Sequence, residues 1–271
     1  MSETISSRGY AKINLFLRVA ESRGTRHEIE SLLQSIDLYD EITLCKNEGS
    51  EIVSDFPEDN SLLVLTKLRE HFDLGGMRLS VRKNIPIGGG LGGSSADAAA
   101  AAIACAELWH LPLDKVKKIV SPLYGDIAFQ MTGGTAITRG FGEAVDPLPP
   151  LPNYIVLLAF PQKGVSTKEA YGLSDTLPKG MGSALSLYWA LSRCEKADRY
   201  YLNDLLLPAS RLNEEISPLL EAMRDDRALL TGMTGSGSTL FSLYKTAEDA
   251  ERKRASLTCP TALTHTISHL S

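Results

Sequence analysis

A glycine-dense segment that runs straight into an alanine-rich one carries the clearest chemistry in this sequence. Residues 86–102 read PIGGGLGGSSADAAAAA. Glycine adopts positive φ angles and has no Cβ to keep an anion from the backbone, and the first N–H groups of a helix are unpaired donors at the positive end of its dipole. The pattern therefore predicts a phosphate-binding loop that leads into a helix. Ser94 and Ser95 are placed to cap that helix or to contact a phosphate or its metal ion.

Three other interpretations of this loop follow from its residues. A turn that only redirects a strand into a helix stays open, although five glycines in the six positions 88–93 exceed what a turn requires. The G-x-G-x-x-G dinucleotide fingerprint fits Gly88, Gly90 and Gly93. That fingerprint also needs a second strand that ends in an acidic residue about 20 positions later, where this sequence predicts another helix. A Walker loop is excluded because no Lys precedes Ser94.

The elements that must position this loop are strands and helices in mixed order. An alternating apolar pattern over 10–20 predicts a strand that carries Lys12 and Asn14. The remaining predictions are strands or short helices at 29–36 and 40–45, helices at 60–71, from the loop to about 109 and at 114–120, strands at 77–81, 135–138 and 154–160, helices at about 183–192 and 211–224, and an extended segment at 239–244 after a Gly-Ser-Gly turn. Four prolines within 146–153 predict a boundary between domains 1–150 and 151–271. This order favours an α+β protein of two lobes.

Size and composition are those of a globular protein. The 271 residues, 43% hydrophobic and 23% charged, suffice for a sizeable core. The net charge of −5 argues against nucleic acid or an acidic membrane as the main partner. Four cysteines without C-x-x-C spacing disfavour a zinc site or a disulfide framework and fit a reducing cytoplasm. We expect neither a signal peptide nor a membrane-spanning segment.

Several short motifs give the chain a resemblance to a known family. They are AKINLFL at 11–17, RHEI at 26–29, the loop at 86–99, GD at 125–126, GGTA at 133–136, RGFGE at 139–143, GVSTKEAY at 164–171, NDL at 203–205 and MTGSGS at 233–238. Over nearly its whole length the sequence resembles the GHMP small-molecule kinases. Within them, the AKINL, HEI and GVSTKE motifs point to the 4-diphosphocytidyl-2-C-methyl-D-erythritol kinases. The resemblance implies the two-lobed GHMP kinase fold, with the glycine-rich loop in the N-terminal lobe, a C-terminal α/β lobe and the active site in the cleft between them.

The resemblance also implies catalytic and ATP-binding roles. Phosphoryl transfer needs alignment, charge neutralisation and an acceptor for the hydroxyl proton. Asp126 would be the base or orienter at the acceptor hydroxyl, and Lys12 would be its cationic partner. Alone, Lys12 also fits a solvated strand lysine, and Asp126 fits a helix cap. ATP, with Mg²⁺, is expected on Pro86, Gly88, Gly89, Gly90, Leu91, Gly92, Gly93, Ser94 and Ser95.

A second group of residues is expected to hold the acceptor substrate. His27 offers one donor and one acceptor, which suits the edge of a cytosine, and Asn14 can donate to a phosphate or hydroxyl. Tyr171 lies where the family carries an aromatic ring on the cytosine. Gly235 and Ser236 belong to a second turn of backbone donors. The alternatives are a structural histidine, an asparagine that only ties two strands, a core tyrosine and a hairpin turn.

Three segments depart from the family pattern. Where Asp-Gly-Tyr-His is usual, residues 24–27 read GTRH, so Arg26 replaces the tyrosine expected to stack on the cytosine. A guanidinium plane also stacks on a base, and its charge suits a diphosphate. GLGGSSAD replaces GLGGGSSD, which leaves a metal or phosphate role open between Ser94 and Ser95. Residues 126–130 read DIAFQ in place of DVPFF, a change expected to affect packing more than chemistry.

The activity implied by the resemblance is ATP-dependent phosphorylation of the 2-hydroxyl of 4-diphosphocytidyl-2-C-methyl-D-erythritol in isoprenoid precursor synthesis, without an obligate protein partner. Another GHMP kinase, for homoserine, mevalonate or a sugar, stays open, and the motifs at 26–27 and 164–171 argue against it. A nucleotide-binding protein without phosphotransfer is disfavoured because both Lys12 and Asp126 are present. A dehydrogenase has the least support.

Overall fold

The computed structural model describes residues 3–23, 26–56 and 60–269, and the side chains of 21–26 lie outside that description. The strands are β1 (Thr4–Arg23), β2 (Arg26–Lys46), β3 (Ile52–Ser54), β4 (Met77–Arg82), β5 (Thr135–Gly140), β6 (Ala144–Pro147), β7 (Ile155–Ala159), β8 (Leu230–Met233), β9 (Leu240–Tyr244) and β10 (Thr261–His265). The helices are α1 (Asn60–Phe72), α2 (Gly93–Leu108), α3 (Leu113–Val120), α4 (Ile127–Gln130), α5 (Thr167–Ser174), α6 (Ala184–Ser192), α7 (Leu206–Leu212), α8 (Ile216–Met223) and α9 (Ala247–Ala255). Within these ranges, each helix lacks the length or the apolarity that a membrane crossing requires.

The N-terminal sheet is built on the long β1–β2 antiparallel pair, and its other strands follow the order β3-β4-β2-β5-β6. Consecutive side chains of a strand point to opposite faces. Ala11, Ile13 and Leu15 therefore enter the hydrophobic core, while Lys12 and Asn14 face the opposite side and are also buried. The expected strand at 10–20 is confirmed and is longer than expected. The segments expected separately at 29–36 and 40–45 form one strand, β2.

The alanine-rich helix α2 lies unusually close to β1. A Cβ at Gly9 would come within 2.7 Å of the backbone of Ala96, so only glycine fits at this approach. Small side chains on the helix let the two backbones come together, and most of α2 is buried. This close packing carries the first turn of α2 next to the buried side chain of Lys12.

The second sheet has the order β10-β7-β9-β8 and is antiparallel throughout. Two hydrophobic clusters of the described residues join it to the first sheet. Phe16 of β1 packs in one core with Val156 of β7 and Phe241 of β9, and Leu17 of β1 packs in another with Leu157 of β7. The two sheets are thus held together by buried apolar contacts. This arrangement is the mixed α+β architecture that the sequence predicts.

One further segment differs from expectation. The helix expected over 211–224 is divided into α7 and α8 at Asn213, whose side chain accepts a hydrogen bond from the Glu215 N–H (3.0 Å) and donates to the Lys163 carbonyl (2.7 Å). Such local bonds compete with a continuous helix. The proline-rich stretch 146–153 begins inside strand β6. Pro147 is tolerated there because β6 is an edge strand, where the missing N–H of a proline removes no hydrogen bond from the sheet.

Candidate active site

A cavity opens between β1, the glycine-rich loop, α5 and the β8–β9 turn. Every predicted site residue that the structure describes in full lines this cavity except His27. The lining residues among them are Lys12, Asn14, Pro86, Gly88, Gly89, Gly90, Leu91, Gly92, Gly93, Ser94, Ser95, Asp126, Tyr171, Gly235 and Ser236. His27 lies against Tyr171 (ring centroids 4.9 Å apart). The side chain of Arg26 is among those outside the described residues.

Lys12 and Asp126, 114 positions apart in the numbering, meet at the floor of this cavity. Lys12 Nζ lies 3.5 Å from Asp126 Oδ2. The lysine is not a solvated strand residue: its side chain is 5% exposed, and its ammonium donates to Asn14 Oδ1 (2.6 Å) and to the Gly90 carbonyl (3.0 Å). A buried cation requires such partners. Asp126 precedes the short helix α4 without capping it, so its carboxylate is free of that structural task and 32% exposed.

The glycine-rich loop has the left-handed backbone that its sequence predicts at Gly88, Gly90 and Gly92. At Gly90, where φ is 77°, a Cβ would clash with the carbonyl oxygen of Thr234. Helix α2 begins at Gly93 with Gly92 as its N-cap and no side-chain cap. Of the two roles expected for Ser94 and Ser95, capping of α2 is wrong, because the cap position is Gly92 and no side chain caps the helix. The Ser94 hydroxyl accepts from the Asn60 N–H (3.4 Å), and contact with a phosphate or metal ion stays a prediction.

Thr234, which sequence reasoning missed, ties the loop to the β8–β9 turn. Its hydroxyl accepts from the Asn14 N–H (3.0 Å) and lies 3.1 Å from the Gly90 carbonyl oxygen. Asn203, in the NDL motif, donates to the carbonyls of Met233 (2.9 Å) and Gly235 (3.0 Å). The sequence left a hairpin turn and a cavity-lining turn open for the Gly-Ser-Gly segment, and the structure has both. The segment lies in the turn of the β8–β9 hairpin, and Gly235 and Ser236 line the cavity.

Asn14 has two roles in the structure. Its amide donates to the Ser31 hydroxyl (2.8 Å), which ties β1 to β2, and its oxygen accepts from Lys12. The tie between two strands that the sequence left open is therefore present. Asn14 also lines the cavity beside Lys12, so the same side chain orients the ammonium.

A buried charge cluster holds the chain at the start of the glycine-rich loop. Lys83 contacts Asp40 (Nζ to Oδ2, 2.6 Å) and Asp97, and both aspartate side chains are fully buried. Asp40 Oδ1 also accepts from the N–H groups of Asn84 (2.5 Å) and Ile85 (2.8 Å). Burial raises the pKa of Asp97 to about 8, opposed by its contact with Lys83. Desolvation alone would lower the pKa of Lys83, but its hydrogen bonds with the two aspartates raise it.

At the far end of the cavity, α5 meets the beginning of β2. His27 Nε2 lies 2.7 Å from Asp175 Oδ1, and Tyr171 lies against the imidazole ring with an angle of 33° between the planes. Burial raises the pKa of the Tyr171 hydroxyl, and the charge of Asp126 raises it further. The hydroxyls of Thr167 and Ser236 are 2.8 Å apart, which joins α5 to the β8–β9 turn. Tyr171 therefore lines this end of the cavity, and the imidazole of His27 packs against it without itself lining the cavity wall.

Gln130 is an unusual buried amide behind Lys12. It is 3% exposed, and within the described ranges neither its oxygen nor its nitrogen has a hydrogen-bond partner. A Cβ at Gly92 would lie 3.1 Å from Gln130 Nε2 and 2.9 Å from Lys12 Cε, so the amide and the lysine stem meet beneath the loop. This is the last position of the DIAFQ segment, where the family pattern has Phe.

The comparisons with known proteins agree with this geometry. The sequence model of the GHMP kinases N terminal domain matches residues 60–134, and that of the GHMP kinases C terminal matches residues 188–260. The chain belongs to the GHMP kinase family. A curated relative from Thermosipho melanesiensis, named 4-diphosphocytidyl-2-C-methyl-D-erythritol kinase, is 36% identical over 246 residues, which cover 87% of this chain and 89% of the relative. Within the family, the chain groups with the kinases of that name.

Solved structures show the same fold. A crystal structure of 4-(cytidine 5'-diphospho)-2C-methyl-D-erythritol kinase superposes with a TM-score of 0.82 at 29% identity and covers 97% of this chain and 99% of that one. A homoserine kinase from Cytophaga hutchinsonii has a TM-score of 0.75 at 18% identity and covers 100% of this chain and 96% of its own. The second likeness concerns the fold alone. The protein is an ATP-dependent small-molecule kinase with the two-lobed GHMP fold.

Proposed function

We propose that this kinase transfers the γ-phosphoryl group of ATP to the 2-hydroxyl of 4-diphosphocytidyl-2-C-methyl-D-erythritol, a step of isoprenoid precursor biosynthesis. The observation that carries the proposal is the buried Lys12–Asp126 pair beside a phosphate-binding loop, in a chain 36% identical to a kinase of that name. A homoserine kinase and a mevalonate kinase share the fold at 18% identity or less, so the shared fold is no argument for homoserine or mevalonate as the acceptor substrate.

ATP would be held by the glycine-rich loop. Gly93, Ser94 and Ser95 form the first turn of α2, where backbone N–H groups have no partner within the helix. The positive end of the helix dipole and these donors together favour a phosphate at the cavity wall. Because Gly90 and Gly92 carry no side chain, the loop keeps its left-handed turns and its contacts with Thr234 and Lys12.

Asp126 would accept or orient the proton of the attacking hydroxyl. Its carboxylate is partly exposed to the cavity, and the ammonium of Lys12 lies 3.5 Å away, so a cation stands beside the group that would take the proton. Lys12 is held by Asn14 and Gly90 and would stabilise the negative charge that develops on the transferred group without reorganising. In-line transfer needs little else from the protein than this alignment.

Mg²⁺ is expected with ATP, and the available side chains fit its usual mode of binding. In the part of the chain that the structure describes, no cluster of three or more His, Cys, Asp or Glu side chains could hold a metal ion. Magnesium in kinases is commonly bound by one or two protein oxygens together with substrate phosphates and water. The Ser94 or Ser95 hydroxyl would supply such an oxygen, which leaves the Asp126 carboxylate for the acceptor hydroxyl. When bound, the ion would neutralise phosphate charge.

The cytidine end of the acceptor would lie at the α5 side of the cavity. His27 would read the edge of the cytosine and Tyr171 would pack on its face, while Arg26 would stack on the base and attract the diphosphate. Asn14, Gly235 and Ser236 would line the methylerythritol portion near Lys12 and Asp126. The division into domains 1–150 and 151–271 and a cytoplasmic location, which suits the four free thiols, belong to the same proposal.

The test is a comparison of acceptors under one set of conditions. ADP release would be measured with Mg-ATP and 4-diphosphocytidyl-2-C-methyl-D-erythritol, homoserine or mevalonate. We expect kcat/KM for the cytidine substrate to exceed the others by at least about a hundredfold, because a site with dedicated polar contacts discriminates strongly. Faster turnover of homoserine or mevalonate would overturn the assignment. ADP release that needs no acceptor would indicate an ATPase.

A further inference from the structure

Asp175 and Tyr171 hold His27 from two sides. Both follow from α5: Tyr171 lies within the helix and Asp175 is its C-cap residue with helical backbone angles, so the two side chains are one turn apart on the same face. Tyr171 lies against the imidazole face at 4.9 Å, and Asp175 Oδ1 lies 2.7 Å from Nε2. The His27 side chain is only 12% exposed. Its orientation is therefore set by contacts from α5.

The hydrogen bond to Asp175 decides which nitrogen of His27 carries a proton. An ionised carboxylate can only accept, so Nε2 must be the N–H donor in this contact. In a neutral imidazole the other nitrogen, Nδ1, then has a lone pair and can only accept. A group that binds Nδ1 must therefore present a hydrogen-bond donor.

His27 lies next to the cavity wall, packed against Tyr171. It is two residues from Ile29 on β2, and residues at that spacing share one face of a strand. Ile29 and Tyr171 both line the cavity. Cytosine has an amino group at the position where uracil has a carbonyl oxygen. A fixed acceptor at Nδ1 would accept a hydrogen bond from the cytosine amino group and would repel the uracil carbonyl oxygen.

We propose that Asp175 is a positioning residue that fixes the Nε2–H tautomer of His27, and that this tautomer makes the site prefer a cytosine nucleotide to a uracil nucleotide. The inference rests on the proposed function, which places the base at His27. It assigns the discrimination to a carboxylate that touches neither the base nor the reacting atoms. Sequence motifs alone do not show it, because Asp175 is 148 positions from His27.

The experiment measures the dissociation constants of CDP and UDP by calorimetry for the wild type, Asp175→Asn and Asp175→Glu. We expect the wild type to bind CDP about tenfold more tightly than UDP, the effect of one well-placed hydrogen bond against one repulsive contact. In Asp175→Asn the amide can donate or accept, so the preference should fall to about threefold or less. Asp175→Glu keeps an acceptor-only group and should retain more of the preference than Asn.

The matched control is Glu169→Gln, an exposed carboxylate on the same helix, which should leave the CDP to UDP ratio unchanged. Nitrogen-15 NMR of His27 provides a readout that a merely structural role would not move: the wild type should show a protonated Nε2 and an unprotonated Nδ1, and Asp175→Asn should lose this assignment. A wild-type nucleotide preference in Asp175→Asn, or a protonated Nδ1 in the wild type, would overturn the inference. Failure of the wild type to phosphorylate the cytidine substrate would overturn the proposed function instead.

Discussion

The hydroxyl of Thr234 lies 3.1 Å from the carbonyl oxygen of Gly90, so the β8–β9 turn of one sheet is bonded to the glycine-rich loop that borders the other. The same hydroxyl accepts the N–H of Asn14, two residues after Lys12. One side chain therefore bonds to the loop, to the strand that carries Lys12 and, through its own position, to the turn.

Thr234→Val should weaken catalysis through this link. Valine has nearly the same shape but leaves the buried Asn14 N–H without its acceptor, which costs about 1–3 kcal/mol. We expect a lower melting temperature and a KM for ATP raised about five- to tenfold, measured by thermal denaturation and initial rates. Thr231→Val on β8, the strand that leads into this turn, is the matched control, because the Thr231 hydroxyl bonds Ser242 outside the cavity. Equal KM values for ATP in the two variants would argue against the link.

Asp126→Asn should lower kcat by about a hundredfold or more with little change in KM, since general-base catalysis typically contributes 10²–10⁴-fold. Lys12→Ala should act in the same direction because it removes the cation beside that carboxylate. Steady-state kinetics of both variants, with Asp114→Asn at an exposed helix position as control, measure the effect. If both variants keep a near-normal kcat, the pair is structural.

Gln130→Met should stabilise the protein. It replaces two buried polar atoms that have no partner among the described residues with a side chain of similar length, and such atoms cost about 1–3 kcal/mol. Gln34→Met is the opposite control, because the Gln34 amide is fully engaged with Ser35, Thr135 and Ile267 and its loss should destabilise. Urea unfolding measures both free energies. Destabilisation by both substitutions would show that Gln130 has a partner in solution.

Asp97 should make stability fall as pH rises. Its folded pKa of about 8 lies above its ordinary 3.8, so between these values the native state holds a proton that the unfolded chain releases. The free energy of unfolding then decreases by up to about 1.4 kcal/mol per pH unit through this window and levels off above it. Asp97→Asn lacks that proton and should show a flatter profile between about pH 5 and pH 8 in urea unfolding. Parallel profiles for the two proteins would contradict the protonated state.

The role of Arg26 in binding the cytosine is predicted from the sequence alone, and kinetics of two variants test it. If its guanidinium stacks on the cytosine and attracts the diphosphate, Arg26→Ala should raise KM for the cytidine substrate about ten- to a hundredfold and leave KM for ATP unchanged. Arg26→Tyr should recover part of the affinity and be less sensitive to salt, because a neutral ring gives up the screened charge attraction. Substrate titrations of both variants at low and high ionic strength measure KM and its salt dependence. An unchanged KM in Arg26→Ala would place cytosine binding on His27 and Tyr171 without it.

Local patterns were enough to predict the parts of the site that lie within one segment. The loop and α2 follow from glycine and alanine content, and β1 follows from its alternation. The meeting of Lys12 and Asp126 came from the family resemblance, since nothing in either segment alone requires it. Thr234, Asn203 and Asp175 could not be found in this way.

The reason is that these three side chains act through partners far along the chain. Thr234 bonds Asn14 across 220 positions, and Asp175 bonds His27 across 148. A neutral hydroxyl or amide in a turn has many ordinary uses, and only the assembled topology shows which one applies. The continuity of β2 was missed for a related cause. Strand β5 pairs with residues 29–34 of β2 and β4 pairs with residues 41–46, and between these two segments the strand pairs with β1 at Tyr39 and Asp40.

The most direct test of the central claim is phosphorus-31 NMR of the wild-type protein with Mg-ATP and 4-diphosphocytidyl-2-C-methyl-D-erythritol. The account predicts that the γ-phosphate signal of ATP is replaced by ADP and one new phosphomonoester signal, that the diphosphate signals of the acceptor persist, and that Asp126→Asn slows this conversion about a hundredfold or more. Inorganic phosphate as the only new signal, or a spectrum unchanged after prolonged incubation, would contradict it.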